Sequence, residues 1–115
     1  MKVSARLSNY RVSARKARLL ADQIRGKGVE EALVILDLSS KRFAQPLAKL
    51  VRSALANAEE KNSREHAGID IDNLVVDRIL VDQGPSMWRI RPRAQGRATW
   101  LQRKSSHVQI VLSEE

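Results

Sequence analysis

From Lys2 to Ser8 the chain alternates strictly, with Val3, Ala5 and Leu7 on one side and Lys2, Ser4, Arg6 and Ser8 on the other. That period predicts a half-buried strand with a polar outer face. The period changes from Ser13 to Arg25, where Ala14, Ala17, Leu20, Ala21 and Ile24 recur at helical steps and form one buried stripe. Ser13 is the expected N-cap, and Gly26 the expected end. A short second helix is predicted over Val29 to Leu36. Its inward positions are Val29, Ala32, Leu33 and Leu36, and Glu30 and Glu31 sit in the first turn, where the helix dipole favours acids. Ser40 is expected to cap a third helix reaching about Lys61, with Phe43, Leu47, Leu50, Val51, Ala54 and Ala58 as its stripe. Pro46, near the start, kinks or delays its first turn. Asn62 to Asp70 reads as a polar connector. Leu74 to Val81 is β-branched and apolar on both faces, which predicts a central strand. Ser106 to Leu112 sets Val108, Ile110 and Leu112 against His107, Gln109 and Val111, another half-buried strand.

Between those last two strands the pattern fails. Gln83 to Lys104 contains Gly84, Pro85, Pro92 and Gly96, six bases and few apolar groups. A two-stranded ribbon with its turn near Pro92 to Gly96 fits, with about ten residues per arm and a reach of roughly 30 Å. Such a ribbon has no core of its own and is marginal in water. The alternative is a loop that is unstructured in the free chain. Gly26-Lys27-Gly28 is a turn. A phosphate loop needs G-x-x-x-x-G-K-[ST] after a strand, and this segment follows a helix.

Charge sharpens this outline. The chain has 115 residues, room for one domain, and a net charge of +8. Residues 1–29 hold eight bases (Lys2, Arg6, Arg11, Arg15, Lys16, Arg18, Arg25, Lys27) against Asp22 alone. Residues 30–82 hold seven bases and ten acids. Residues 83–113 hold six bases (Arg89, Arg91, Arg93, Arg97, Arg103, Lys104) and no acid. Two basic ends therefore flank a slightly acidic middle, a segregation that solubility alone does not require and that points to a polyanionic partner. On the first helix, Arg11, Arg15, Arg18 and Arg25 share one arc beside the buried stripe. Asp22 lies in that arc and is placed to pair with Arg18, a contact worth only about 0.2–0.5 kcal/mol.

Catalytic chemistry has little to start from. There is no Cys, which removes disulfides and thiolate chemistry and suits a reducing compartment. His66 and His107 stand far apart and outside metal-type spacing, so no metal and no cofactor are expected. His107, beside Arg103 and Lys104, is either a phosphate or base contact or a solvent-facing residue. Asp70 and Asp72 read as turn residues rather than an acid/base pair. No signal peptide and no membrane segment are expected. Trp88 and Trp100, half of the four aromatic residues, lie in the basic ribbon. They are either stacking groups for exposed bases or a cross-strand pair about a turn centred on Ala94. Arg outnumbers Lys five to one in this region, which suits bidentate phosphate contacts.

These residues carry a resemblance. Asp82-Gln83-Gly84-Pro85-Ser86-Met87 and Arg89-Ile90-Arg91-Pro92-Arg93-Ala94-Gln95-Gly96-Arg97-Ala98 resemble the hairpin of the family of bacterial large-subunit ribosomal protein number twenty-two. Arg103-Lys104-Ser105-Ser106-His107-Val108 is similar to that family's basic-Ser/Thr-Ser-His-aliphatic signature. Ser13 to Arg18 and Ser53 to Glu59 resemble its first and third helices. The resemblance covers essentially the whole chain, in order. It implies an α+β fold, three helices packed on a three-stranded antiparallel sheet with one long protruding β-hairpin. It also implies one domain, with a globular part over 1–82 and 105–115 and a basic hairpin over 83–104. It implies a cytoplasmic, non-enzymatic component of the large ribosomal subunit, monomeric within the ribosome, that binds large-subunit rRNA and supports assembly. Its other partners would be neighbouring ribosomal proteins and the nascent peptide, with no membrane. The expected RNA-binding residues are Arg6, Arg11, Arg15, Lys16, Arg18, Arg25, Lys27, Arg89, Arg91, Arg93, Arg97, Arg103, Lys104 and His107. The expected tunnel-lining tip is Met87, Trp88, Arg89, Ile90, Arg91, Pro92, Arg93 and Ala94. Trp88 and Trp100 depart from the family, which usually has a basic residue at the first position and a basic or tyrosine residue at the second. Two rival classes remain: a small nuclease, which needs acids or a His among the bases, and a DNA-binding protein with a β-ribbon arm.

Overall fold

The structure is a computed structural model that describes residues 2–65, 68 and 71–114; His66 and Asp70 lie outside the described residues. The fold is α+β. Its elements run β1 (Lys2–Tyr10), α1 (Ala14–Ile24), α2 (Val29–Leu38), α3 (Ala44–Glu65), β2 (Leu74–Gln83), β3 (Met87–Pro92), β4 (Ala98–Arg103) and β5 (Ser106–Glu114). A three-stranded antiparallel sheet has the order β1-β5-β2, and β3 and β4 form a second, two-stranded antiparallel sheet.

The last strand is thus the central one, and β2, expected in the centre, lies at the margin. The apolar run of β2 misleads for two reasons. Leu80 is 43% exposed on the outer face. A bulge between Val76 and Arg78 lets both Val76 and Ile79 point inward although they are three positions apart. The register then builds three apolar rungs across the sheet: Val3–Leu112–Val76, Ala5–Ile110–Ile79 and Leu7–Val108–Val81. Ile110, Leu112 and Val108 are fully buried at the middle of these rungs.

The helices cover that face. α3 lies against β1 and β5, α1 lies against β2, and α2 contacts both helices. The predicted stripes are the buried ones: Ala17, Leu20, Ala21 and Ile24 on α1, and Leu47, Leu50, Val51, Ala54 and Ala58 on α3. Ser13 caps α1 through its hydroxyl, which accepts from the Lys16 N–H, and Gly26 follows the helix at φ +79°. Ser40 is not the cap of α3. The helix starts at Ala44, so Pro46 falls in the first turn, where its missing N–H costs no intrahelical bond and produces no kink. The same helix runs on to Glu65, through residues expected to form a connector.

α1 is fastened to β2 by its own polar groups. Arg18 Nη2 donates to the Val81 carbonyl at 2.9 Å, and Arg25 Nη2 to the Ile79 carbonyl at 3.0 Å. The Gly26 N–H donates to Val76 O, and the Val76 N–H returns a bond to Lys27 O at 2.8 Å. Asp22 accordingly pairs with Arg25, at 2.6 Å, and not with Arg18. At the other edge of the sheet, Asn57 Nδ2 donates to the Ser4 carbonyl of β1 at 3.0 Å.

Candidate nucleic-acid interface

The residues after β4 form a clasp. Ser105 Oγ donates to Pro85 O at 2.6 Å, and Ser106 Oγ to Val12 O at 2.7 Å. His107 Nδ1 accepts the Asn9 N–H at 3.0 Å, where Asn9 takes a left-handed φ of +56°. Three consecutive side chains thus hold the start of β3, the entry to α1 and the end of β1. His107 is half-buried in this joint rather than on an open strand face. Gly84 sits in the same joint, its N–H bonded to Ser105 O; a Cβ there would lie 2.8 Å from Ser105 Oγ and 3.3 Å from His107 Nε2. Ser106 is fully buried. Ser106→Ala strips the Val12 carbonyl of its donor, at an expected cost of about 1–3 kcal/mol. A thermal melt should show a midpoint several degrees lower; an unchanged midpoint would refute the clasp.

The clasp brings distant bases together. Beside it lies a cleft of about 730 Å³ lined by Arg11, Lys16, Lys41, Arg42, Arg103 and Lys104, with Tyr10, Val12, Leu19, Leu20 and Phe43 among its apolar walls. No acid among the described residues lines it. The Tyr10 and Phe43 rings, 5.5 Å apart and tilted at 52°, brace this wall. A second depression of about 490 Å³ adds Arg6 and Lys49 on the other side of Tyr10. Lys41 and Arg42, with Lys49 of the second depression, are the residues that sequence reasoning missed. They lie in the segment whose overall charge is negative, and averaging over that segment hides them. For Lys41 and Arg42 the readable signal is two consecutive bases directly before a buried Phe.

The other expected residues separate into groups. Arg15 is exposed on α1, and Lys27 faces Glu31 at 3.9 Å. Arg18 and Arg25 are spent on β2 carbonyls. Arg89 and Arg91 lie on β3, and Arg93 and Arg97 bound its turn, where the Arg93 N–H donates to Arg97 O.

The register of β3 and β4 pairs Met87 with Arg103, Trp88 with Gln102, Arg89 with Leu101, Ile90 with Trp100, Arg91 with Thr99 and Pro92 with Ala98. Each strand has six residues, fewer than the ten expected, because residues 84–86 and 104–105 belong to the joint. The turn centres on Gln95, held at φ +62° before Gly96 at +71°, and not on Ala94. That single-residue difference means Trp88 and Trp100 are not directly opposed. The alternation also divides the two faces. One carries Trp88, Ile90 and Trp100; the other carries Arg89, Arg91 and Arg103.

Cations crowding one side of the molecule, around an acid-free cleft and a two-faced pair of strands, suit a polyanion such as a nucleic-acid backbone. Among the described residues no helix is long and apolar enough to cross a membrane. The family described as Ribosomal protein L22p/L17e matches residues 5–113. The chain is also 49% identical, over the full length of both, to "Large ribosomal subunit protein uL22" of Bdellovibrio bacteriovorus (strain ATCC 15356 / DSM 50701 / NCIMB 9529 / HD100). The chain belongs to the Ribosomal protein L22p/L17e family, whose members are structural components and not enzymes.

Proposed function

We propose that this chain is a structural constituent of the large ribosomal subunit that binds its rRNA. The observation that carries this reading is the cleft, where bases from three separate stretches of sequence meet with no acid among the described residues that line it. Arg11, Lys16, Lys41, Arg42, Arg103 and Lys104 neutralise phosphates there, and Arg6, Arg15 and Lys27 extend the footprint. Arg18, Arg25 and His107 hold the frame that positions these groups. Residues 1–82 and 105–115 form the globular body, and 83–104 form a protruding β-hairpin. The radius of gyration, 17.5 Å, supports a projecting arm, since a compact chain of this size is expected near 13 Å. Arg89, Arg91, Arg93 and Arg97 carry that arm into folded RNA, and the stretch from Met87 to Ala94, which runs from the base of the arm at the Met87–Arg103 pair up to its turn and is thus more than the tip, lines the nascent-peptide exit tunnel. Neighbouring ribosomal proteins and the nascent chain are its other partners, and the chain is a monomer within the cytoplasmic ribosome.

Sedimentation of cell extract tests this. The chain should co-migrate with the large subunit at moderate salt and leave it only at high salt. Migration with the small subunit, or as free protein at moderate salt, would refute the proposal.

A further inference from the structure

The aromatic face of the β3–β4 pair is unused by phosphate neutralisation. Trp88, Ile90 and Trp100 are 60%, 58% and 64% exposed, more than large apolar side chains ordinarily are without a partner. Trp88 lies opposite Gln102, and Trp100 lies opposite Ile90, so the two indoles are diagonal neighbours on one face. Directly opposed residues have Cβ atoms about 4.5–5.5 Å apart, and diagonal ones stand about 7–8 Å apart. Bases stack at about 3.4 Å, so a planar ring held between two others needs about 7 Å. The offset register therefore spaces the two tryptophan positions by about the width that an inserted ring needs. A directly opposed pair would stand too close for that. Gln102 shares this face beside Trp88 and offers an amide donor and acceptor to the edge of an inserted base.

We propose that Trp88 and Trp100 form a slot for one unpaired nucleobase of RNA. Charge selects the occupant. Residues 83–113 contain six bases and no acid, so a polyanion is drawn to this arm. Arg89 and Arg91, on the opposite face, hold the backbone while the aromatic face takes the base. An inserted base stacks on both rings whatever its identity, because every base has a π-face. The slot rests on the RNA-binding reading given above and adds a specific site to it.

These are the only two tryptophans, so indole emission reports this slot alone. The test titrates the full chain with a short abasic RNA strand, and with the same strand carrying a single adenosine. The single adenosine should quench emission well beyond the abasic strand. In Trp88→Phe and in Trp100→Phe, each keeping one reporter, the quench should appear at the same midpoint. Trp88→Ala or Trp100→Ala should weaken binding of the one-base strand about 5- to 150-fold. Quenching no greater than that by the abasic strand overturns the slot, as does quenching of one indole only. The RNA-binding reading is scored separately, by the salt dependence of binding to large-subunit rRNA. If that dependence is steep while the indoles stay silent, only the slot fails, and a protein partner takes this face. If it is flat, the broader reading fails.

Discussion

The affinity of the chain for large-subunit rRNA is expected to fall by roughly 10³–10⁵-fold between 50 and 200 mM salt. The cleft supplies six cations and the second sheet with its turn supplies Arg89, Arg91, Arg93 and Arg97. If six to ten phosphates are neutralised, about that many counterions leave the RNA, and the log–log slope approaches −0.9 per contact. Lys41→Ala with Arg42→Ala should shrink the slope by about two. Arg25→Ala should leave the slope almost unchanged and instead lower the thermal midpoint, because its guanidinium is bonded to the Ile79 carbonyl. Filter binding across a salt series checks all three chains. A slope near one in the unaltered protein would mean that the cleft does not meet phosphate.

Excision of Met87–Arg103, with Ser86 joined to Lys104 through a short turn, should separate folding from binding. No residue of that stretch belongs to the buried core, and the clasp that closes the body begins at Ser105. Shortening the connection changes closure entropy by only about 0.6 kcal/mol per halving and in the favourable direction. The thermal midpoint should hold or rise. Binding should not. At 0.15 M salt each lost phosphate contact removes about 0.7 log units relative to 1 M, so the five arginines of the stretch (Arg89, Arg91, Arg93, Arg97 and Arg103) remove roughly 10³–10⁴-fold in affinity. Residual binding should keep the salt slope of the five cleft cations that remain once Arg103 is removed. Collapse of the fold would show that the second sheet supports the body.

Much of this architecture is legible in the amino-acid pattern alone. Alternation over Lys2–Ser8 marks the inward set Val3, Ala5 and Leu7. The 3.6-residue period marks every buried residue of α1, and adds only Ala14, which is half-buried. Ser13 announces its own helix. Strand order is not legible, because which strand takes the centre depends on long-range pairing, and the run Leu74–Val81 looks more central than Ser106–Leu112. The bulge at Asp77 hides in the same run: an apolar-polar-polar-apolar step reads as irregularity, not as a local insertion. The charged arc on α1 is legible as an arc, but a helical projection treats all its members alike. It does not distinguish Arg15, left to solvent, from Arg18 and Arg25, which reach across to carbonyls of β2. The turn centre falls one residue later than expected because Gln95 adopts a left-handed backbone that its side chain does not advertise. That one residue decides whether the tryptophans face each other.

The bonds from Arg18, Arg25, the Gly26–Lys27 turn and Asn57 have a consequence for the chain before it meets any partner. A three-stranded sheet has two outer strands whose unpaired backbone groups are templates for another chain. Here the carbonyls of Val76, Ile79 and Val81 on one outer strand, and of Ser4 on the other, are already taken by donors from the same molecule. The β3–β4 pair, whose margins carry no such donors, is protected by electrostatic repulsion between its own arginines and those of a second copy. Self-recognition is thus opposed by the hydrogen bonds already made at these carbonyls and by like charge in the second sheet. Partial loss of either device should favour polymerisation of a newly made chain over its delivery.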